Sequence, residues 1–253
     1  MKILINGKNP KSIEELAKNL GLKVVSTNPD VIISFGGDGT LLSAERKYPG
    51  IPKLPIRDPL VWKKCGQHSE ELLLRLLSQD KLQLKEYNKL ETVVEGQTIT
   101  ALNDFIIRNK EAVHAIRFQV TVPSHPERAK PFGSEPQGRR RVEGSILIGD
   151  GIIVATPLGS SGYFKSVTQQ TFNSGFGLAF NNTTEKIQPI IFKKGDQVTF
   201  KLIRGHGSLT FDNSHYQYSI KEGGEITFKL SLQTAKIYEA KTLRCPDCNK
   251  ISN

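Results

Sequence analysis

Apolar positions in the first third of the chain follow two alternating rhythms. Lys2 to Ile5 is a short apolar run; Ile13, Leu16, Ala17 and Leu20 then recur at helical spacing behind Ser12 and Glu15, a capping-box pattern. Gly21 ends that helix. Lys23 to Ser26 and Val31 to Phe35 predict buried strands, Thr40 to Tyr48 a helix, and Lys53 to Ile56 a strand set between prolines. Ser69, Glu70 and Glu71 open a further helix, with Leu72, Leu73, Leu76 and Leu77 on one apolar face. Strand and helix in alternation predict an open α/β sheet with crossover helices.

Beyond Lys81 the period shortens. VHAIRFQVTV (Val113 to Val122), QVTFKLI (Gln197 to Ile203) and EITFKL (Glu225 to Leu230) are β-branched and set between Gly, Asn or Pro turns, which predicts a mostly β region. The change puts a domain boundary near Lys89 to Glu95. The expected organisation is an α/β domain at 1–90, a β-rich domain at 91–240 and a tail at 241–253. Pro123 to Arg141 is rich in Pro, Gly and charge and reads as a long loop.

With 253 residues, 37% of them hydrophobic, the chain has room for one large or two modest cores. Its formal charge of +10 favours a polyanionic partner such as a nucleotide, although excess lysine also serves solubility. The apolar run near Met1 is too short for a signal peptide, and no later run approaches a membrane span. Three cysteines, an odd number, argue against a disulfide framework, so a cytoplasmic protein is expected.

Three stretches carry candidate chemistry. In VIISFGGDGT, Val31 to Thr40, a buried strand runs into a glycine-rich turn and a helix. Free N–H groups at the helix start suit a phosphate, and glycine lets it approach the backbone. A carboxylate there repels phosphate, so Asp38 either meets a bridging magnesium ion or faces a hydroxyl acceptor; the plain alternative is that it caps the helix. Neither a Walker loop nor a G-x-G-x-x-G fingerprint is present.

The second stretch is GDGIIVATPLGSSGY, Gly149 to Tyr163. Its hydroxyls and amides suit ribose and amide recognition, and Tyr163 can cover a base; a β-corner with Ser and Gly in turn positions is the alternative. The third is LNDFII, Leu102 to Ile107, where Asn103 and Asp104 interrupt an apolar strand. That costs stability unless both find partners or form a solvent-facing bulge.

In this order and at this spacing, GGDGT at Gly36 to Thr40, the Asn103–Asp104 pair and DGIIVATPLGSSGY at Asp150 to Tyr163 resemble the three signatures of the NAD kinases. The GGDG motif also occurs in diacylglycerol kinase, sphingosine kinase and phosphofructokinase relatives; the third motif is far more specific. The resemblance implies a Rossmann-like α/β domain followed by a β-rich domain that supplies most of the NAD site and joins subunits into a homodimer or homotetramer. It implies phosphoryl transfer from ATP or polyphosphate, with magnesium or another divalent cation, to the 2′-hydroxyl of the adenosine ribose of NAD.

Carried onto this chain, the resemblance makes Asp38 the acid that accepts or positions the hydroxyl proton, and Gly36, Gly37, Gly39 and Thr40 the phosphate cradle. Asn103 and Asp104 hold a ribose, and Asp150 and Ser166 meet the nicotinamide end. Thr156 belongs to the NAD site, while Ser161, Gly162 and Tyr163 line the adenine pocket.

The chain also departs from the family pattern. Asp104 stands for the usual Glu, Leu158 for a Thr, Phe164 and Lys165 for smaller or polar residues, and Thr168 and Gln169 for a Gly-Gly. The Asn-x-Gly-x-Leu-Gly-Phe loop is replaced by LPIRDPLVWKKCGQ, Leu54 to Gln67, where Lys63 and Lys64 could offer phosphate contacts or form a solvated turn. SVTQQTFNSGFGLAFNNTTE, Ser166 to Glu185, is closer to archaeal members. Cys245 and Cys248 form one C-x-x-C, two ligands short of a zinc site unless Cys65, a histidine or a second subunit completes it; a reduced pair is the simpler reading. Two rival functions remain at this stage: a diacylglycerol-type lipid kinase and a non-catalytic nucleotide- or nucleic-acid-binding module, to which Arg139 to Arg141 could contribute.

Overall fold

A computed structural model describes residues 1–58, 68–111, 113–122 and 144–238, together with the backbone of Trp62–Lys63 and Asn249–Lys250. The expected loop at Pro123 to Arg141 and the candidates Cys65, Lys64, Cys245 and Cys248 lie outside the described residues, as does the side chain of Lys63.

The elements run β1 (Lys2–Gly7), α1 (Lys11–Asn19), β2 (Lys23–Val24), β3 (Val31–Phe35), α2 (Asp38–Lys47), β4 (Lys53–Ile56), β5 (Trp62–Lys63) and α3 (Glu70–Ser78). There follow β6 (Leu84–Val94), β7 (Gln97–Ala101), β8 (Asp104–Asn109), β9 (Ile116–Thr121), β10 (Leu147–Gly149) and β11 (Gly151–Ala155). A 3-10 turn at Gly159–Ser161 leads to α4 (Tyr163–Thr168), β12 (Phe176–Asn181), β13 (Ile190–Phe192), β14 (Gln197–Arg204), β15 (Gly207–Phe211), β16 (Tyr218–Ile220), β17 (Glu225–Tyr238) and β18 (Asn249–Lys250).

The chain divides into two compact units, Met1–Tyr87 with Gln233–Asn253, and Asn88–Leu232. Residues 233–238, the end of β17, thus belong with the first unit, whereas the change in period had placed everything from 91 to 240 together. A strand-length run cannot reveal that its two ends serve different cores.

In the first unit β2, β1, β3 and β4 are parallel neighbours, and Ile237 of β17 pairs with Lys53 beside them. Alternation along the strands sends Ile3, Val31, Ile33, Phe35, Leu54 and Ile56 to one face, against Ile13 and Ala17 of α1 and Leu73, Leu74 and Leu77 of α3. Leu4 and Ile32 point to the other face and meet Ala44 of α2. Helices on both faces of a parallel sheet are the α/β arrangement that the alternating rhythm predicts.

Three local expectations change. The capping box does not form: α1 starts after Pro10, and Ser12 Oγ donates to the Asn9 carbonyl at 2.9 Å. Ser69 does cap α3, accepting from the Leu72 N–H, yet the buried stripe is Leu73, Leu74 and Leu77, with Leu72 and Leu76 at its margin. The helix after GGDGT opens at Asp38, not Thr40.

The second unit is a sandwich of two antiparallel sheets. One contains β10, β9, β14 and the first part of β17, with the β6–β7 hairpin pairing to β17; the other has the order β13, β12, β11, β8, β15, β16. Phe118, Val120, Val198, Phe200, Leu202, Ile226 and Phe228 of the first sheet pack on Phe105, Ile107, Ile152, Val154, Leu178 and Leu209 of the second. Phe105 and Phe228 meet across the layers with ring centroids 5.3 Å apart. On the outer face of the second sheet a small cluster of Ile153, Ala155, Ala179 and Phe164 receives α4.

Candidate active site

The first unit presents the glycine-rich turn. β3 is buried throughout, and its chain leaves the sheet at Gly36, whose N–H donates to the Ile56 carbonyl at 2.8 Å. Gly36 has φ +154, and a Cβ there would strike Thr40 Oγ1, so both backbone and packing demand glycine. Gly37 is the extended N-cap residue of α2; its carbonyl accepts from the Thr40 N–H at 3.0 Å and the Leu41 N–H at 3.3 Å. Asn6 Nδ2 donates to the Thr40 carbonyl at 3.3 Å, tying β1 to the same turn.

Asp38 occupies the first helical position. It is exposed, no side chain caps this helix, and among the described residues the Asp38 carboxylate has neither a hydrogen bond nor an ion pair. The capping role considered for it is therefore not taken. An unengaged carboxylate at a helix start is stabilised by the helix dipole and remains open to a proton or cation.

In the second unit Asn103 lies in the turn between β7 and β8, and Asp104 is the first residue of β8, paired with Ala155 of β11, so the polar pair opens the strand and does not interrupt it. Asp212, at the end of β15, accepts from the N–H of Leu102 at 2.5 Å, of Asn103 at 2.7 Å and of Asp104 at 3.3 Å. From the other side Thr156 Oγ1 donates to the Leu102 carbonyl at 2.7 Å, and the Thr156 N–H donates to the Asn103 carbonyl at 2.8 Å. The Asp212 N–H reaches the Asp104 carbonyl at 3.3 Å. Every backbone donor and acceptor of residues 102–104 is thereby used, and among the described residues the Asn103 side chain makes no hydrogen bond.

Thr156 also accepts from the Gly159 N–H at 3.0 Å, and a Cβ on Gly159 would overlap the Asn103 carbonyl. The Pro-Leu-Gly segment and the Asn-Asp turn are therefore one packed unit. Ser161 and Gly162 are exposed at its edge. Tyr163 opens α4 half-buried against the small outer cluster, and Ser166 Oγ donates to its carbonyl at 2.7 Å.

Asp104 and Asp212 form a buried acid pair. Burial pushes the Asp104 carboxyl up to about 7, and the charge of Asp212 adds to the shift. Burial likewise raises Asp212 to about 6, opposed by its three backbone N–H donors and by Lys89. The pair thus keeps a proton to near neutrality.

Asp150 stands apart. It precedes β11, whereas Thr156 follows it, so five strand residues, about 17 Å of extended chain, separate the two ends. Its carboxylate accepts from Asn182 Nδ2 at 3.0 Å. Within one chain the structure brings Asn103, Asp104, Thr156, Ser161, Gly162, Tyr163 and Ser166 into one region and leaves Asp150 at the opposite end of the strand.

Asp212 and Lys89 were not singled out from the sequence. The dipeptide Asp212-Asn213 carries a turn signal, and both residues have positive φ, at 45 and 52 degrees. Nothing in the local pattern indicates that this carboxylate closes on a turn more than a hundred residues earlier.

The family model described as the ATP-NAD kinase C-terminal domain matches residues 143–240. Over 245 residues the chain is 29% identical to an NAD kinase of Sulfurisphaera tokodaii, covering 90% of this chain and 88% of that one. The chain is thus similar to the NAD kinases over most of its length. An NAD kinase of Saccharolobus islandicus is 32% identical over 159 residues, 62% of this chain and 56% of its own length. Both relatives are archaeal, in line with the resemblance of the Ser166 to Glu185 segment to archaeal NAD kinases.

Two solved structures share the fold. An NAD kinase from Archaeoglobus fulgidus, crystallised in complex with ATP, superposes with a TM-score of 0.72 at 20% identity, covering 96% of this chain and 95% of that one. A yeast NADH kinase complexed with NADH gives 0.75 at 13% identity, covering 96% and 84%. The α/β plus β-rich architecture is thus that of the NAD kinases.

Proposed function

We propose that this protein is an NAD kinase that transfers the terminal phosphoryl group of ATP to the 2′-hydroxyl of the adenosine ribose of NAD. Similarity to NAD kinases over most of the chain supports the activity, and one observation supports the mechanism: among the described residues Asp38 holds an exposed, unengaged carboxylate at the start of α2. Asp38 takes the proton from the ribose hydroxyl as the new O–P bond forms and the bond from phosphorus to the leaving oxygen breaks, releasing ADP. Such a transfer needs positioning and charge neutralisation more than covalent chemistry. Gly36, Gly37, Gly39 and Thr40 form the phosphate cradle.

Asn103 and Asp104 bind ribose hydroxyls. With its backbone wholly engaged, Asn103 can turn its amide to the ligand, and Asp104, protonated near neutrality, can donate a hydrogen bond as well as accept one. Thr156 supports that turn, Ser161, Gly162 and Tyr163 line the adenine pocket, and Ser166 lies toward the nicotinamide. Asp150 serves the nicotinamide end across a subunit interface, in a homodimer or homotetramer joined through the β-rich unit. No helix among the described residues is long and apolar enough to cross a membrane, and the cytoplasm is the proposed location.

A divalent cation such as magnesium fits this residue set as a companion of the donor. No group of three or more His, Cys, Asp or Glu among the described residues could hold a metal alone, and magnesium is commonly bound by one carboxylate together with substrate phosphates. Here the donor's phosphates would carry the ion, and the Asp38 carboxylate stays with the ribose hydroxyl. Bound there, the ion would neutralise charge on the phosphates. The lipid-kinase and binding-module readings have no comparable support.

The deciding experiment is NADP formation from NAD, magnesium and either ATP or polyphosphate, coupled to an NADP-specific dehydrogenase. NADP formed with ATP is the expected result. NAD binding without NADP from either donor would overturn the kinase reading, and phosphorylation of diacylglycerol instead would favour the lipid-kinase reading.

A further inference from the structure

The turn contains two adjacent glycines, and the protein's own packing accounts for only the first. At Gly37 the backbone is extended, with φ −101 and ψ −165, a conformation open to any residue. Among the described residues, a Cβ at Gly37 would meet no atom closer than Nη1 of Arg57, 4.0 Å away. As far as those residues go, the space beside Gly37 is open, and its wall is a guanidinium.

Arg57 follows Ile56 at the C-terminal edge of β4, next to the point where β3 leaves the sheet at Gly36. Ligands of open parallel sheets bind at this edge. Arg57 is only 6% exposed, so its stem is held by the fold and its charge stays close to the turn. It stands within Leu54 to Gln67, the segment that departs from the family's Asn-x-Gly-x-Leu-Gly-Phe pattern.

The electrostatics of the turn call for such a group. Asp38 puts a negative charge at the start of α2, where phosphates must also come, and the helix dipole alone is a weak counterweight. An arginine stays charged at any relevant pH and presents paired N–H donors that match phosphate oxygens.

We propose that Arg57 is a ligand of the phosphoryl donor, its guanidinium holding the donor's phosphate chain against the bare backbone of Gly37. The room left by the missing Cβ is then the room a phosphate oxygen occupies. The identity of the donor rests on the NAD kinase reading, but the claim that a phosphate chain binds between Arg57 and Gly37 can be tested without turnover.

The test is calorimetric titration of the full chain with magnesium ATP, with inorganic tripolyphosphate and, separately, with NAD. Arg57 is engaged within the fold, so Arg57→Met is open to unfolding; Gly37→Ala provides a second route, since among the described residues its methyl meets nothing closer than 4.0 Å and should leave the melting temperature unchanged. Both variants should bind tripolyphosphate and ATP about tenfold more weakly or worse, the worth of one charge-assisted hydrogen bond. Affinity for NAD should stay within about twofold, and Arg57→Lys should keep part of the donor affinity.

Tripolyphosphate binding unchanged in folded Gly37→Ala would overturn the proposal, whatever Arg57→Met does. A loss confined to NAD would overturn it too, because the anion beside Gly37 would then be the NAD diphosphate. A wild-type protein that binds tripolyphosphate in this Arg57- and Gly37-dependent way, yet forms no NADP, would sustain the phosphate site and remove the kinase reading.

Discussion

The two glycine-containing turns treat their acids in opposite ways. In the first unit Asp38 is exposed and unengaged at a helix start, whereas in the second Asp104 is buried beside Asp212 and Asp212 spends its carboxylate on three backbone N–H groups. An acid that exchanges a proton with a substrate has to be reachable. An acid that shapes a binding turn can be buried, at the cost of desolvation that fixed donors must offset. The difference separates a residue suited to chemistry from residues suited to positioning, although all three are aspartates in or beside turns.

The largest expected effect lies on the exposed side of that contrast. Asp38→Asn should lower kcat by about 10²- to 10⁴-fold, the usual weight of general-base assistance, while NAD affinity changes little. Steady-state kinetics with a separate NAD titration would check this, and a variant that keeps most of its turnover would remove Asp38 from the mechanism.

Next comes the clasp around residues 102–104. Asp212→Asn leaves one acceptor oxygen for three N–H donors and should raise KM for NAD by about tenfold or more, with a smaller change in kcat, because positioning is lost and chemistry is not. Asp212→Glu should not rescue it, since the longer side chain displaces both oxygens. A fall in kcat matching that of Asp38→Asn, with KM unchanged, would mean that the two acids do not differ in kind.

The smallest effect, and the sharpest test of the buried pair, is in pH. Asp104 titrates near 7 in the folded protein against 3.8 for a free carboxyl, so between about pH 4 and 7 the folded state holds more protons than the unfolded chain. Stability contributed by this group therefore falls as pH rises through that window and is level above it. Asp104→Asn removes the titration, so its melting temperature relative to wild type should climb between pH 4 and 7. A difference independent of pH would show that Asp104 is not buried in its charged form at neutral pH.

Much of the local structure around the candidate site was readable because its signals are local. Gly36 must be glycine for its φ of +154 and its approach to Thr40, and that need is written in adjacent residues. Ser69 before Glu70 and Glu71 marks a helix start that the structure keeps. The pattern misled where two local solutions compete: Ser12 bonds the Asn9 carbonyl in place of a capping box, and Leu74 takes the buried stripe from Leu76 by a small rotation of α3.

The sequence alone determined the alternation of parallel strands with helices, the β-rich remainder and the three motifs, because periodicity, glycine conformation and turn chemistry act over a few residues. Tertiary structure decided which distant groups meet them. Asp212 closes on residues 102–104, Lys89 lowers its pKa, and Arg57 comes to the edge of Gly37, each through strand order and register that no local pattern encodes. The same holds for Asp150, four residues from Val154 in the motif yet set at the far end of β11 from Thr156, since an extended strand carries its two ends apart.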